Sequence, residues 1–344
     1  MKALVKTHRG VGHLCYMDFP EPAPGPGEVK VQVKACGICG TDLHIRHDTF
    51  PNYPPVVLGH EFSGIIVELG PGVEGLRIGQ PVVSEVVYET CGRCRACKTG
   101  YYNLCPTRRG LGWAANGAFA SFTVVEAKNI HPIPENVSFE EAALSEPLAV
   151  CAYATCELTG VSAGDVVLVS GPGTIGLLTA QCALAEGGQV IVSGTAADCE
   201  RLELATRLGV HAVVNIDEED TIALVRKMSN GLGADIVFEC SGAAAAASAG
   251  LDAVRKGGKY MQVGLFGHPI ELDFDQVALK ELKVYGVFSS NWRGWNRGLR
   301  LAAQGRVQLA PLISHVLPLA RWEEAFDLAE QRRGLKVLLV PEEP

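Results

Sequence analysis

Short apolar segments alternate with helix-like segments through the middle of this 344-residue chain, beginning near Asp165. A strand that returns through a helix to a neighbouring strand runs parallel to it, and the helices cover both faces of the sheet. The alternation therefore predicts an α/β fold with a doubly wound parallel sheet. The predicted strands and helices, in order, are Val166–Ser170, Gly176–Ala185, Val190–Ser193, Cys199–Leu208, Ala212–Asn215, Asp220–Ser229, Ile236–Cys240, Ala243–Val254 and Tyr260–Val263.

A glycine-rich turn joins the first of these strands to its helix, with the sequence Gly171-Pro172-Gly173-Thr174-Ile175-Gly176. Gly171 permits the tight bend, Gly173 lets the backbone approach a pyrophosphate, and Gly176 allows the helix to pack closely on the sheet. The helix N-terminus adds free N–H groups for the phosphates. Because the turn lies between a strand and a helix, we expect a dinucleotide to bind here, and a ligand-free turn is the alternative.

The end of the second strand bears on the choice of cofactor. An acid at this position commonly binds the ribose 2′-hydroxyl of NAD, whereas this chain continues Gly194-Thr195-Ala196-Ala197-Asp198. Arg201 could accept a 2′-phosphate, or Asp198 could fold back onto the ribose. The residues therefore leave NAD and NADP both open.

The first 143 residues differ, because short Val-rich runs are separated by Gly-Pro turns, which predicts a β-rich domain. The formal net charge of -8 argues against a nucleic-acid partner. No apolar run is long enough to cross a bilayer, and the N-terminus lacks a secretory signal, so we expect a cytoplasmic protein. In the reducing cytosol the 12 cysteines are expected to be thiols or metal ligands.

Four cysteines, Cys91, Cys94, Cys97 and Cys105, lie within fifteen residues and are separated by turn-forming glycines. Such a set can surround one tetrahedral Zn²⁺ and leave no open position, which indicates a structural site. An iron–sulfur cluster and a nucleic-acid zinc ribbon are the alternatives, and the acidic charge balance disfavours the second.

A second, mixed set of ligand types consists of Cys39, His60 with its neighbour Glu61, and Glu146. Taken singly, a cysteine or a histidine is more often a packed core residue. Together, a thiolate, an imidazole and a carboxylate form a ligand set that leaves a zinc position free for water or substrate. The neighbouring Cys36 is expected only to pack.

The order of these motifs resembles the zinc-containing medium-chain dehydrogenase/reductase family, in particular its sorbitol (polyol) and L-threonine 3-dehydrogenase branches. The likeness covers nearly the whole chain. It implies a Rossmann domain inserted in a β-rich GroES-like catalytic domain, with boundaries at 1–148, 149–288 and 289–344 and a structural zinc lobe at about 88–108. It also implies a homo-oligomer, either a dimer or a tetramer.

The resemblance also implies roles for individual residues. Cys39 and His60 would bind a catalytic zinc, with Glu61 or Glu146 as the third ligand. Thr41 would take the proton of the substrate, and His44 would pass it to solvent through the nicotinamide ribose. The segments Val263-Gly264-Leu265 and Val287-Phe288-Ser289 would flank the nicotinamide.

The expected reaction is the reversible, NAD(P)-linked oxidation of a secondary alcohol, polyol or sugar-like, to its ketone. L-Threonine 3-dehydrogenation is the alternative, for which Arg46, His47 and Phe50 are candidate pocket residues, and Trp292, Arg293 and Trp295 weaker ones. A zinc-free reductase and a non-catalytic dinucleotide-binding or redox-sensing protein are the rival classes. Both would be expected to lack part of the metal-ligand sets, which this chain retains.

Overall fold

The computed structural model describes residues 1–342 and divides into two compact units. The first contains Met1–Glu146 and the chain from Leu309 onward, and the second is Pro147–Gln308. The predicted boundary between residues 148 and 149 lies close to the division between Glu146 and Pro147. The predicted return of the chain to the first unit at residue 289 lies twenty residues before Leu309, where the structure has it.

The later return has a local cause in the helix Trp292–Ala303. A Cβ atom added at Gly294 of this helix would lie 2.5 Å from the carbonyl oxygen of Ala149 and 2.8 Å from Cβ of Tyr153. The helix is therefore packed closely against the start of the second unit, and it belongs to that unit.

The strands are β1 (Lys2–Lys6), β2 (Leu14–Asp18), β3 (Glu28–Gly37), β4 (Val56–Val57), β5 (Glu61–Leu69), β6 (Pro81–Ser84), β7 (Val87–Glu89), β8 (Arg109–Gly110), β9 (Phe122–Glu126), β10 (Ile130–Pro132), β11 (Val166–Ser170), β12 (Gln189–Gly194), β13 (Ala212–Asn215), β14 (Ala234–Glu239), β15 (Val254–Gln262), β16 (Lys283–Gly286), β17 (Ile313–Pro318) and β18 (Lys336–Val340). The α-helices are α1 (Gly40–Arg46), α2 (Arg95–Lys98), α3 (Phe139–Ala142), α4 (Ser145–Ala152), α5 (Thr174–Ala185), α6 (Cys199–Arg207), α7 (Thr221–Met228), α8 (Ala244–Ala253), α9 (Asp275–Leu279), α10 (Trp292–Ala303) and α11 (Trp322–Glu330). A π-helical segment, Tyr153–Thr159, follows α4.

The first unit is β-rich, as the sequence predicts. Its main sheet has the order β10-β6-β5-β3-β18-β17, and β9 also pairs with β3. The C-terminal strand β18 pairs antiparallel with the end of β3, with Leu338 opposite Gly37 and Leu339 opposite Cys36. This pairing brings β18 beside the residues that precede Cys39.

The second unit contains a six-stranded sheet of order β13-β12-β11-β14-β15-β16, in which every pair of strands is parallel. All five residues of β11 are buried, which is expected for a strand covered by helices on both faces. The predicted doubly wound fold is confirmed. The strand order reverses between β11 and β14, and ligands of such sheets bind beyond the carboxyl ends of the strands at that point.

Among residues 1–342, no helix is both long enough and apolar enough to span a membrane.

Candidate active site

Cys39 lies where β3 gives way to α1. It is the N-cap of α1, with extended φ and ψ of -101° and 155°. The carboxylate of Asp42, three residues later, accepts a hydrogen bond of 2.9 Å from the backbone N–H of Cys39. An acid at this position satisfies an otherwise free backbone donor, so the helix begins at a fixed residue and the thiol is held in place.

His60 lies immediately before β5 and close to Cys39. It follows Gly59, whose φ of +88° is a backbone conformation that favours glycine. The residue is 6% exposed, and its Nδ1 lies 3.9 Å from Oδ1 of Asp42. The same oxygen of Asp42 accepts a hydrogen bond of 3.4 Å from the backbone N–H of Gly59. Asp42 is fully buried. Its two carboxylate oxygens accept hydrogen bonds from Cys39 and from Gly59, and they thereby connect the turn at Cys39 to the turn before His60.

Glu61 is the third member of the cluster, and it is paired with a cation. Lys336, on β18, donates to Oε2 of Glu61 at 2.5 Å and to the carbonyl oxygen of Ile38 at 3.0 Å. Both side chains are at most 6% exposed. Gly37 makes room for the pair, because a Cβ atom there would lie 2.5 Å from Oε2 of Glu61.

The structure brings together Cys39, His60 and Glu61, with one ligand atom from each lying within 4.8 Å of the others. The residues fit a divalent cation for a second reason. Burial by itself lowers the pKa of His60, but the neighbouring charges of Cys39 and Asp42 outweigh burial and raise that pKa to about 10. A pocket that stabilises a protonated imidazole in this way is a pocket that favours positive charge.

Glu146 stands at the first turn of α4 and is 8% exposed. Burial raises its pKa to about 7, and the charge of Glu61 adds to the shift, while His60, Lys336 and Arg108 oppose it. Its carboxylate therefore interacts with the same charges as the cluster. Its oxygens are not among the three ligand atoms that lie within 4.8 Å of one another in the described chain.

The two predicted proton-transfer residues lie on α1. Oγ1 of Thr41 is 3.7 Å from Sγ of Cys39, so the hydroxyl is beside the cluster of Cys39, His60 and Glu61. Nδ1 of His44 is 3.2 Å from the hydroxyl of Thr49, and the contact is exposed to solvent. Residues three apart on a helix share a face, so Thr41 and His44 lie on one side of α1.

The four lobe cysteines converge, with all four sulfurs within 4.8 Å of one another. Backbone N–H groups point at the sulfurs: Cys94 donates to Cys91 at 3.3 Å, and Cys91 donates to Cys105 at 3.4 Å. Burial raises the pKa of the Cys105 thiol, but the N–H of Cys91 and the contacts of Thr107 outweigh it and lower that pKa to about 6. Four sulfurs with built-in N–H donors fit one tetrahedral metal ion.

The predicted dinucleotide turn has the expected local geometry. Gly171 has a φ of +97°, and a Cβ atom on it would lie 2.8 Å from Cα of Ser241. A Cβ atom on Gly176 would lie 1.9 Å from the carbonyl oxygen of Gly171. Gly173 is the N-cap of α5, and no atom lies within 4 Å of the position its Cβ would take, so a ligand can approach the backbone at the start of this helix.

At the end of β12, Asp198 folds back onto its own loop. Its Oδ2 accepts hydrogen bonds from the backbone N–H and the hydroxyl of Thr195, at 3.1 and 2.9 Å. Its Oδ1 lies 3.4 Å from the guanidinium of Arg201. Gly194 precedes this loop and packs against Pro172 of the glycine-rich turn.

The two segments predicted to flank the nicotinamide lie after β15 and β16. The N–H groups of Val263 and Gly264 both donate to the carbonyl oxygen of Glu239, at 2.9 and 2.8 Å. The side chains of Leu265 and Phe288 are exposed, and Ser289 has a φ of +57°.

Sequence reasoning did not assign Asp42, Lys336 or Glu239. The Asp42 capping position could have been found, because an acid at the third residue of a helix is a recognised start signal. Lys336 lies 275 residues from Glu61 and has no local signal. Glu239 falls inside a predicted strand, where the sequence indicates no role beyond the strand itself.

Two protein-family models match the chain. The model described as "Alcohol dehydrogenase GroES-like domain" matches residues 25–135, and the model described as "Zinc-binding dehydrogenase" matches residues 174–304. The chain is 43% identical to a sorbitol dehydrogenase of Halalkalibacterium halodurans, covering 99% of both chains. It is 37% identical to an L-threonine 3-dehydrogenase of Pyrococcus horikoshii, covering 99% of this chain and 98% of the relative. A crystal structure described as a putative zinc-binding dehydrogenase from Sinorhizobium meliloti 1021 bound to NADP matches with a TM-score of 0.91 and 33% identity, covering 99% of both chains.

Proposed function

This chain belongs to the zinc-binding dehydrogenase family with a GroES-like domain, and on that premise we propose that it oxidises a secondary hydroxyl of a polyol or sugar-like alcohol to a ketone. It is an enzyme of the alcohol dehydrogenase type that uses zinc and NAD(P). The reaction is reversible hydride transfer between the alcohol carbon and the nicotinamide, whose redox chemistry belongs to the cofactor.

One observation carries the proposal. A thiol, an imidazole and a carboxylate, from three different positions in the sequence, lie within 4.8 Å of one another in a pocket that favours positive charge. This is the mixed donor set of a catalytic zinc, as distinct from the four-sulfur set of the lobe.

We assign Cys39, His60 and Glu61 as the ligands of the catalytic zinc and Cys91, Cys94, Cys97 and Cys105 as those of the structural zinc. A bound catalytic zinc lowers the pKa of an alcohol hydroxyl toward neutrality. Burial raises the pKa of Glu146 to about 7, and we assign this residue as the second carboxylate of the site, which would exchange with Glu61 or hold water.

The proton then leaves through residues of α1. The hydroxyl of Thr41, beside Cys39, would accept the substrate proton while giving up its own, and His44, on the same side of α1 and exposed to solvent, would take up that proton and release it. An imidazole suits this role because its ordinary pKa is near neutral.

The dinucleotide binds over Gly171, Gly173, Thr174, Ile175 and Gly176, where the start of α5 presents free N–H groups to the phosphates. Gly194, Thr195 and Arg201 would hold the adenosine ribose, and the segments Val263–Leu265 and Val287–Ser289 would flank the nicotinamide.

L-Threonine is the second candidate substrate, because a threonine dehydrogenase is 37% identical over nearly the whole chain. Its carboxylate would need a free cation. Arg46 is bound to Asp327 at 2.8 Å and to Glu330 at 3.2 Å, and His47 is bound to Glu330. Both of these candidate pocket residues are therefore engaged with α11, which favours an uncharged polyol over an amino acid.

A substrate panel tests the proposal. Purified enzyme is assayed with several polyols, L-threonine and simple secondary alcohols, each with NAD and with NADP. We expect the highest kcat/KM with a polyol. A preference for L-threonine would overturn the substrate assignment, and inactivity toward every secondary alcohol with both cofactors would overturn the reaction.

We further propose a cytoplasmic homo-oligomer, a dimer or a tetramer. Support comes from apolar side chains left exposed on the second unit near β16, the last strand of its sheet: Leu279 is 77% exposed and Val284 is 41% exposed. Sedimentation at micromolar concentration measures the subunit number, and a monomer would contradict the proposal.

A further inference from the structure

A carboxylate is buried at the carboxyl end of β14 without a cation. Glu239 is 0% exposed, and none of the ion pairs found within residues 1–342 includes it. Burying an ionised carboxylate is costly unless hydrogen bonds satisfy its oxygens. The contacts of Glu239 therefore indicate what the residue is for.

The hydrogen bonds of this carboxylate come from the protein backbone and from neutral side chains. Oε1 accepts from the backbone N–H groups of Ser241 and Gly242, at 2.8 and 3.0 Å, and also from the Ser241 hydroxyl. Oε2 accepts from Nε2 of Gln262 at 2.7 Å. The same Nε2 donates to the carbonyl oxygen of Gly264 at 2.7 Å.

Glu239 thereby ties the loop that follows β14 to the loop that follows β15. The two loops are in close contact: a Cβ atom on Gly264 would lie 2.4 Å from the backbone nitrogen of Gly242, and one on Gly242 would lie 2.5 Å from the carbonyl oxygen of Leu265. Neither loop can shift alone without breaking contacts of the other.

These loops lie at the point where the strand order reverses. β14 is the neighbour of β11, and Ser241 is in contact distance of Gly171 at the head of the glycine-rich turn. One buried carboxylate therefore fixes the conformation of the Ser241–Gly242 turn and of Val263–Leu265 beside the glycine-rich turn.

We propose that Glu239 is a positioning residue for the dinucleotide: it holds the Ser241–Gly242 and Val263–Leu265 segments in the conformation that binds NAD(P), without touching the cofactor itself. The inference rests on the proposed cofactor site. Because its side chain is fully buried, Glu239 acts only through the two loops.

Glutamine cannot replace this glutamate. The side-chain amide of a glutamine at this position has one oxygen and one NH₂ group. Its NH₂ group would face hydrogen-bond donors, either the N–H groups of Ser241 and Gly242 or Nε2 of Gln262. Rotation of the Gln262 amide would not relieve the conflict, because its Oε1 already accepts from the Tyr260 hydroxyl at 3.0 Å and its Nε2 is needed by Gly264. A buried unsatisfied donor is expensive.

The test is Glu239→Gln in the full enzyme, with Glu203→Gln on the exposed face of α6 as the matched control. Affinity for NADH and NADPH is measured by fluorescence titration, and KM for the cofactor, kcat and zinc content are measured below the unfolding temperature. We expect both the Kd and the KM for the cofactor to rise about tenfold in Glu239→Gln. We expect kcat at saturating cofactor and the zinc content to stay within about twofold of the wild type, because a loss of binding that affects the ground state and the transition state equally leaves kcat unchanged.

A folded Glu239→Gln enzyme with wild-type cofactor affinity, or with reduced kcat and unchanged cofactor affinity, would overturn the inference. If that variant does not fold, Gln262→Leu decides, because it removes the amide that joins the Glu239 carboxylate to the carbonyl oxygen of Gly264. A rise of about twofold or more in cofactor KM supports the inference, and an unchanged KM overturns it. A wild-type enzyme that binds neither NADH nor NADPH would overturn the proposed cofactor site itself.

Discussion

Three carboxylates and three cationic side chains interact in the buried pocket around Cys39 and His60, since His60, Lys336 and Arg108 all act on the charge of Glu146. Asp42, Glu61 and Glu146 are all buried, and Lys336 is directly bonded to only one of them, Glu61. A buried carboxylate that loses its compensating charge is destabilising, so the bond from Lys336 contributes to the stability of this pocket.

The first prediction concerns the ligand thiol. Cys39→Ser replaces a thiolate with a hydroxyl that binds zinc poorly, and turnover should fall by more than about 100-fold while NADH affinity is retained. Steady-state kinetics and fluorescence titration measure the two quantities. Cys15→Ser, at an exposed cysteine, should behave like the wild type. Full activity of Cys39→Ser would refute its role as a ligand.

The second prediction concerns the buried ion pair. Lys336→Met leaves Glu61 without its partner, and the free energy of unfolding should fall by about 3–5 kcal/mol. Lys2→Met removes the exposed pair with Asp18 and should cost only about 0–1 kcal/mol. Denaturant unfolding followed by circular dichroism measures both. Equal, small losses in the two variants would contradict the importance of the buried pair.

At the scale of elements, the cysteine lobe contains little regular secondary structure. α2 is one turn long, and Gly92 and Gly100 both have positive φ values, so the chain folds around its sulfurs and not around an apolar core. Metal binding supplies the folding energy of such segments.

The third prediction follows from this dependence. Cys94→Ser should remove one zinc ion per chain and lower the free energy of unfolding by at least about 3 kcal/mol. Metal analysis and denaturant unfolding measure these changes, with Cys199→Ser at an exposed cysteine as the control. An unchanged unfolding transition with a full complement of zinc would argue against a structural metal.

Considered as a whole, the molecule has both predicted metal clusters in its first compact unit and the glycine-rich turn in its second. The two clusters differ in type, because the lobe offers four sulfurs and the other site offers three mixed ligands. An ion with an open coordination position is expected to exchange more readily than one that is fully enclosed.

The fourth prediction uses this difference. The intact enzyme should contain two zinc ions per chain, and a chelator should remove one of them first. Activity should be lost with that first ion, while the unfolding temperature changes little. Native mass spectrometry, activity assays and calorimetry on the same samples follow the process. Simultaneous loss of both ions with unfolding would contradict two separate kinds of site.

The sequence by itself determined those features whose parts are close together along the chain. The strand–helix alternation, the turn Gly171–Gly176 and the lobe Cys91–Cys105 each depend on spacing within a few residues, and backbone geometry then leaves few alternatives. The ligand types Cys39, His60 and Glu61 could also be identified from the sequence, although their convergence could not be derived from spacing alone.

Only the tertiary structure decided which distant groups meet. The pairing of β18 with β3 brings Lys336 to Glu61, packing of α10 against Ala149 and Tyr153 moves the return of the chain to Leu309, and the contact of two loops gives Glu239 its donors. These contacts depend on strand order and on burial, which are properties of the folded chain and leave no periodic pattern in the sequence.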